Sequence, residues 1–203
     1  ALQSMLLLRQ SFEKHLLPNT GLSLTGEYVQ IGTGKDLLYT DSEEEFVCIE
    51  VFWRDSSLQF KFKYQEKSDL QPVVNTENAV TGLPWDESLF GAHFQYLSAE
   101  RISPKSIYDV SDFAVNQRRF LGVNGEYTAH FLAENSPKDI YIEALRHENS
   151  QTVTLGDNLN AWMSDIAPGI KVIAKMIPEV NKVSLHYQFS SLTEMTKCPV
   201  KFS

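Results

Sequence analysis

The feature that most constrains this chain is a pair of apolar runs. Phe46-Val47-Cys48-Ile49-Glu50-Val51-Phe52-Trp53 and Leu58-Gln59-Phe60-Lys61-Phe62-Lys63-Tyr64 are separated only by Arg54-Asp55-Ser56-Ser57. The second run alternates apolar with polar at every step, the period of a strand with one face in the core and one in water. Two such runs joined by a short polar link predict a β-hairpin. The stretch from Leu22 to Ile31 alternates around Gly26 and predicts short strands with a tight turn. Lys171 to Ile177 and Lys182 to Phe189, parted near Pro178-Glu179, predict a second hairpin.

Helical spacing appears elsewhere. Leu2, Met5, Leu6, Phe12 and Leu16 recur on one helical face from Ala1 to about Leu17, until Pro18-Asn19-Thr20-Gly21 breaks the pattern. That helix opens without a Ser, Thr, Asp or Asn cap, which leads to the expectation that sequence precedes it in the native protein. A second helix is predicted from about Glu126 to Asn135, stopped by Ser136-Pro137. A third runs from about Asn158 to Ile166, with Asp157 as its cap and Pro168-Gly169 as its stop. Residues from about Glu66 to Glu87 are polar, contain Pro72, Gly82 and Pro84, and read as a surface loop. Phe94 to Ala99 is predicted as a short strand ending at Glu100-Arg101-Ile102-Ser103-Pro104. The fold class is therefore α+β, with antiparallel hairpins plus helices.

Composition narrows the function. With 203 residues, 42% of them hydrophobic, the chain buries a real core and is not disordered. A formal net charge of -8 argues against a broad surface for nucleic acid or anionic lipid, which needs clustered Lys and Arg. Cys48 and Cys198 have no metal-ligand spacing and no N-x-S/T acceptor occurs, which fits a reducing, cytoplasmic setting. The apolar run Met5 to Leu8 is closed by Arg9 and is too short for a membrane span or signal core, so no membrane partner is expected.

Gly32-Thr33-Gly34-Lys35 has the Gly-Lys ending of a phosphate loop, but Val29 stands where the first glycine belongs and Asp36 where Ser or Thr would bind magnesium. It reads as a turn between two strand segments. Glu43-Glu44-Glu45 reads as a solvated loop, because adjacent carboxylates repel. His15, His93, His130, His147 and His186 are scattered without zinc spacing, and read as surface or hydrogen-bonded core histidines. No G-x-S-x-G nucleophile motif occurs. Trp53, Phe60 and Phe62 read as sheet or core aromatics, not a base-stacking platform. Glu100 and Arg101 are the candidate nucleotide-binding residues: a carboxylate and a guanidinium at a strand end could meet a magnesium-bound water or a phosphate, or simply pair with each other.

Four segments together resemble one known pattern: Leu6-Leu7-Leu8-Arg9-Gln10-Ser11, Gly26-Glu27-Tyr28-Val29-Gln30-Ile31-Gly32, Tyr96 through Pro104, and Leu121-Gly122-Val123-Asn124-Gly125-Glu126-Tyr127. They resemble ATPases of the AAA/ABC-like group related to SMC, RecF and OLD proteins. The resemblance implies that the chain is an incomplete portion of a P-loop ABC-type ATPase head. The Walker A loop would lie before Ala1, and the signature motif, Walker B and switch histidine after Ser203. It implies ATP and magnesium as cofactors of the intact parent, and none for this chain alone. Residues 1–110 would be a nucleotide-core portion with an antiparallel β subdomain, and 111–203 a helical and β lobe. No Q-loop glutamine follows the strand ahead of Glu100.

Two functions of different class follow. The first is a fragment of an ATP-dependent switch in DNA maintenance or phage defence, inactive alone, whose partner is the rest of the head and which could form a homodimer. Nucleic-acid contact would then belong to the parent and not to this acidic segment. The alternative is a non-enzymatic α+β protein-interaction module. A small independent hydrolase has no assembled motif to support it.

Overall fold

A computed structural model of the chain describes residues 1–38, 44–53, 56–74, 89–189 and 195–197. The expectations for Glu43, Gly82, Pro84 and Cys198, and for the side chain of Trp53, fall outside the described residues. The chain is mixed α+β with small antiparallel sheets, arranged as two units, Ala1–Phe94 and Gln95–Ser203.

In the first unit, helix α1 (Leu2–Glu13) buries six residues in succession, Leu6, Leu7, Leu8, Arg9, Gln10 and Ser11. Apolar spacing alone accounts for the leucines. The three polar residues are tolerated because each is hydrogen-bonded, as buried polar groups must be. The Arg9 guanidinium donates to the carbonyls of Leu89 and Gly91, at 3.0 and 2.9 Å, and to Glu13 Oε1 at 2.7 Å. Gln10 donates to the Ser23 carbonyl at 2.8 Å and accepts from the Val29 N–H at 3.1 Å. The Ser11 hydroxyl donates to the Leu7 carbonyl and accepts from the Ser23 N–H. The helix stops at Glu13, short of the expected Leu17, because His15 takes a left-handed backbone with φ 57°.

Strand β1 (Gly21–Ser23) runs directly under this helix. The turn at Gly26 forms as expected, with a Thr25–Gln30 bridge and the Ile31 N–H on the Leu24 carbonyl. The ladder partner of β1, however, is β4 (Leu70–Pro72), inside the stretch expected to be loop. Buried Gln71 makes this possible, since its side chain bonds the backbone of Gln65 and Ser68 and so closes the turn ahead of β4. The predicted hairpin is β2 (Phe46–Trp53) with β3 (Ser56–Lys63). Its register sets Val47, Ile49 and Val51 opposite Phe62, Phe60 and Leu58 on the core face, leaving Cys48, Glu50, Gln59 and Lys63 outward.

The second unit is built on β7 (Lys182–Phe189). On one side it pairs with β6 (Ile170–Ile177), on the other with β5 (Tyr108–Asp109) and β8 (Met195–Lys197). The β6–β7 turn uses Pro178–Val180 and a left-handed Asn181, a residue that tolerates that backbone. Helix α2 (Thr128–Asn135) lays Ala129 and Ala133 on Val183, Leu185 and Ala174, small residues allowing close approach. Helix α3 (Leu155–Ile166) starts earlier than its pattern indicated. Thr154 is its N-cap residue, and the expected cap Asp157 lies in the first turn, accepting from the Thr152 hydroxyl. No helix among the described residues is long and apolar enough to cross a membrane.

Gln10→Leu would keep the bulk of the side chain but leave the buried Ser23 carbonyl and Val29 N–H without partners. A loss of about 1 to 3 kcal/mol is expected, read as a lower urea midpoint. An unchanged midpoint would show that α1 is held by its leucines alone.

Candidate functional site

The Gly32–Lys35 segment forms a short 3-10 turn, Gly34–Asp36. A phosphate loop must leave its backbone N–H groups free to converge on an anion. Here the Asp36 carboxylate already accepts from the Thr33 N–H at 3.1 Å and the Thr33 hydroxyl at 3.2 Å. The Gly34 N–H goes to the Ser68 carbonyl and the Lys35 N–H to that of Glu66, both at 2.9 Å. A carboxylate thus fills the place an anion would need, and the Lys35 side chain is exposed. These residues do not fit a nucleotide phosphate or its magnesium.

Glu100 and Arg101 are also placed differently from expectation. Residues 94–99 form no strand. The segment meets its neighbour through isolated backbone bonds, Ser98 N–H to Val123 O at 2.8 Å and Ile102 N–H to Asn124 O at 2.9 Å, not a ladder. Its alternation covers one face only in part, with Phe94, Tyr96 and Ser98 half-buried and Leu97 left 40% exposed on the other. Glu100 and Arg101 are exposed, and neither side chain makes a hydrogen bond or ion pair within the described residues. They form no enclosed site. Lys35 belongs to the first unit and this pair to the second.

What the second unit does assemble is a chain of polar side chains that no motif announced. Helix α2 carries His130 and Glu134 on one face, and a five-residue π-helix, Phe113–Gln117, carries Asn116. His130 is 1% exposed. Its Nδ1 accepts from the Ser111 N–H at 3.3 Å, which places the ring proton on Nε2, where it is donated to Glu134 Oε1 at 3.0 Å. Asn116 donates to Glu134 Oε2 at 2.8 Å and to Asp112 Oδ1 at 2.6 Å. Glu134 is thereby fixed from both sides, and with Asp112 it presents two carboxylates sharing one amide at the surface. This is an acceptor surface for ligand N–H or O–H groups. The spacing of His130 and Glu134 inside the predicted helix was the available signal; Asp112 and Asn116 gave none.

Among the described residues, no three His, Cys, Asp or Glu side chains converge to hold a metal ion. His15 and His93 are exposed, whereas His130, His147 and His186 are hydrogen-bonded in place. Beside the polar chain, Asp109 forms a close ion pair with Lys182. The hydrogen bond from Lys182 and then its charge hold the Asp109 carboxyl below its ordinary value, Lys105 adding slightly and burial opposing. Comparison with protein-family models, curated proteins and solved structures gives no match.

Because the folded Asp109 pKa is depressed, its stabilisation is present above the ordinary carboxylate range and is lost as pH falls through the lowered value. Asp109→Asn should cost at most about 1 kcal/mol at neutral pH and low salt, as the pair is exposed. In strong acid its urea midpoint should match that of the unmodified chain. A difference that persists undiminished there would mean that Asp109 acts through something other than its charge.

Proposed function

We propose that this chain is a structural segment of an ABC-like ATPase head of the SMC, RecF and OLD-related group. It furnishes an antiparallel β subdomain and part of a helical lobe, while ATP and magnesium are held by residues outside it. The head would act as an ATP-dependent switch in DNA maintenance or phage defence.

The observation that carries this reading is how the four resembling segments pair. In the first unit, the Arg9-Gln10-Ser11 segment and the Gly26–Gly32 segment meet through the Gln10 side chain on the Val29 N–H. Gln10 also approaches Gly26 so closely that a Cβ there would lie 2.6 Å from Gln10 Oε1, which explains the glycine. In the second unit, the Tyr96–Pro104 segment meets Leu121–Tyr127 through Ser98 on Val123 and Ile102 on Asn124. Within each unit two of the resembling segments are thus bonded to one another, through the Gln10 side chain in the first and through backbone groups in the second, which supports reading them as parts of one framework. A second reading, a protein-interaction module, is favoured by the exposed apolar side chains Tyr141, Ile142, Leu145 and Ile166.

Calorimetric titration with ATP and magnesium tests the first reading. The chain alone should give no binding heat, whereas a longer protein with Gly-x-x-x-x-Gly-Lys-Ser/Thr and Walker B segments flanking it should bind. Tight binding by the chain itself, or none by the longer protein, would overturn it.

A further inference from the structure

The second unit carries a projecting aromatic side chain beside a recess of mixed polarity, on a backbone held by hydrogen bonds. The recess, about 490 Å3, has Phe131, Ile140 and Leu155 in its lining and Lys138, Asp139 and Tyr141 at its rim. Tyr141 is 92% exposed and makes no hydrogen bond or ring contact within the described residues. Its segment is nonetheless held firmly. The Ile140 N–H donates to the Val153 carbonyl at 2.8 Å, and the Arg146 guanidinium returns to the Ile140 carbonyl at 3.1 Å. The Trp162 indole donates to the Leu145 carbonyl at 3.0 Å. The Asn158 side chain, on a residue 1% exposed, accepts from the His147 N–H at 2.8 Å and donates to the carbonyls of Thr152 and Thr154. The His147 ring, whose Nδ1 accepts from the Asn149 N–H, donates from Nε2 to Asp165 at 2.8 Å and meets Trp162 edge-on.

A loop whose backbone is hydrogen-bonded in place while its tyrosine stands in water has already met the backbone part of the ordering cost of a docking contact. The charges at the rim select the occupant. Lys138, steadied by Asn135 at 2.8 Å, and Asp139 are adjacent, exposed and of opposite sign. Such a rim attracts neither a strongly acidic nor a strongly basic partner. It complements itself when rotated by a twofold axis, where residue i meets j and j meets i.

We propose that this face is the interface of a twofold dimer of the chain, formed without nucleotide. Tyr141 of each copy enters the recess of the other, and Lys138 of each meets Asp139 of the other. The proposal does not rest on the ATPase reading.

Sedimentation equilibrium across the micromolar range, without nucleotide, tests it. The unmodified chain should show a reversible monomer–dimer equilibrium. Tyr141→Ala should weaken it by about tenfold or more, with unchanged far-UV circular dichroism, since the side chain is exposed. Lys138→Asp, which sets carboxylates against carboxylates, should also weaken it, and the double exchange Lys138→Asp with Asp139→Lys should restore it. A monomer at every concentration, open-ended association, or a Tyr141→Ala dimer as tight as the unmodified one would each overturn the proposal.

Discussion

The first unit depends on a buried amide. Gln10 sits on a helix whose leucines would suffice to bury it, yet it spans two backbone groups of the neighbouring segment, the Ser23 carbonyl and the Val29 N–H. Because a buried carbonyl or N–H left unpaired costs more than an ordinary hydrogen bond contributes, this amide fixes the depth and rotation of α1 relative to β1. Ser11, the next residue, fixes the same strand through the Ser23 N–H, and Arg9 ties in the Leu89–Gly91 backbone. The hairpin's apolar face, Leu58, Phe60 and Phe62, then joins the same core as Leu7, Leu8 and Leu22.

In the second unit a similar logic operates through side-chain amides. Asn158 closes the Thr152–Thr154 turn onto His147, Asn160 accepts the Val172 N–H at the edge of β6, and Asn116 bridges Asp112 and Glu134. Amides suit this work because each offers donors and an acceptor at once, without a charge to desolvate. The unit therefore holds long irregular segments with little sheet, and its residues 139–147 keep one backbone while exposing apolar side chains.

Both long hairpins were legible in the sequence because their information is local: Leu58 to Lys63 alternates strictly, and Pro178 marks the reversal between two apolar runs. The β1–β4 pairing was not, since three-residue strands carry no period and the decisive residue, Gln71, reads as an ordinary loop glutamine. Phe94 to Ala99 differs for the opposite reason, having the alternation of a strand but only an isolated backbone bond, from Ser98 to Val123, where a ladder would need a run of them. Glu100 and Arg101 have the chemistry of a strand-end site, and without the strand they lie on an open surface. The Arg9-Gln10-Ser11 segment is legible as a motif, but apart from Glu13 and Leu7 on the same helix its partners are backbone groups brought near only by folding. His130 and Glu134 have a helical spacing that is legible, whereas Asn116 reaches Glu134 from a π-helix with no sequence signature.

Gln10 and Ser11, and the backbone N–H groups of Gly34 and Lys35, are all bonded within the fold, and on this account they hold the framework together and none of them is free for a nucleotide. Amide hydrogen exchange with and without ATP and magnesium tests it most directly. The account predicts that the N–H groups of Ser23, Val29, Gly34 and Lys35, each bonded within the fold, are protected and exchange at the same rates in both conditions. Rapid exchange at Gly34 and Lys35 that slows when the nucleotide is added would contradict it.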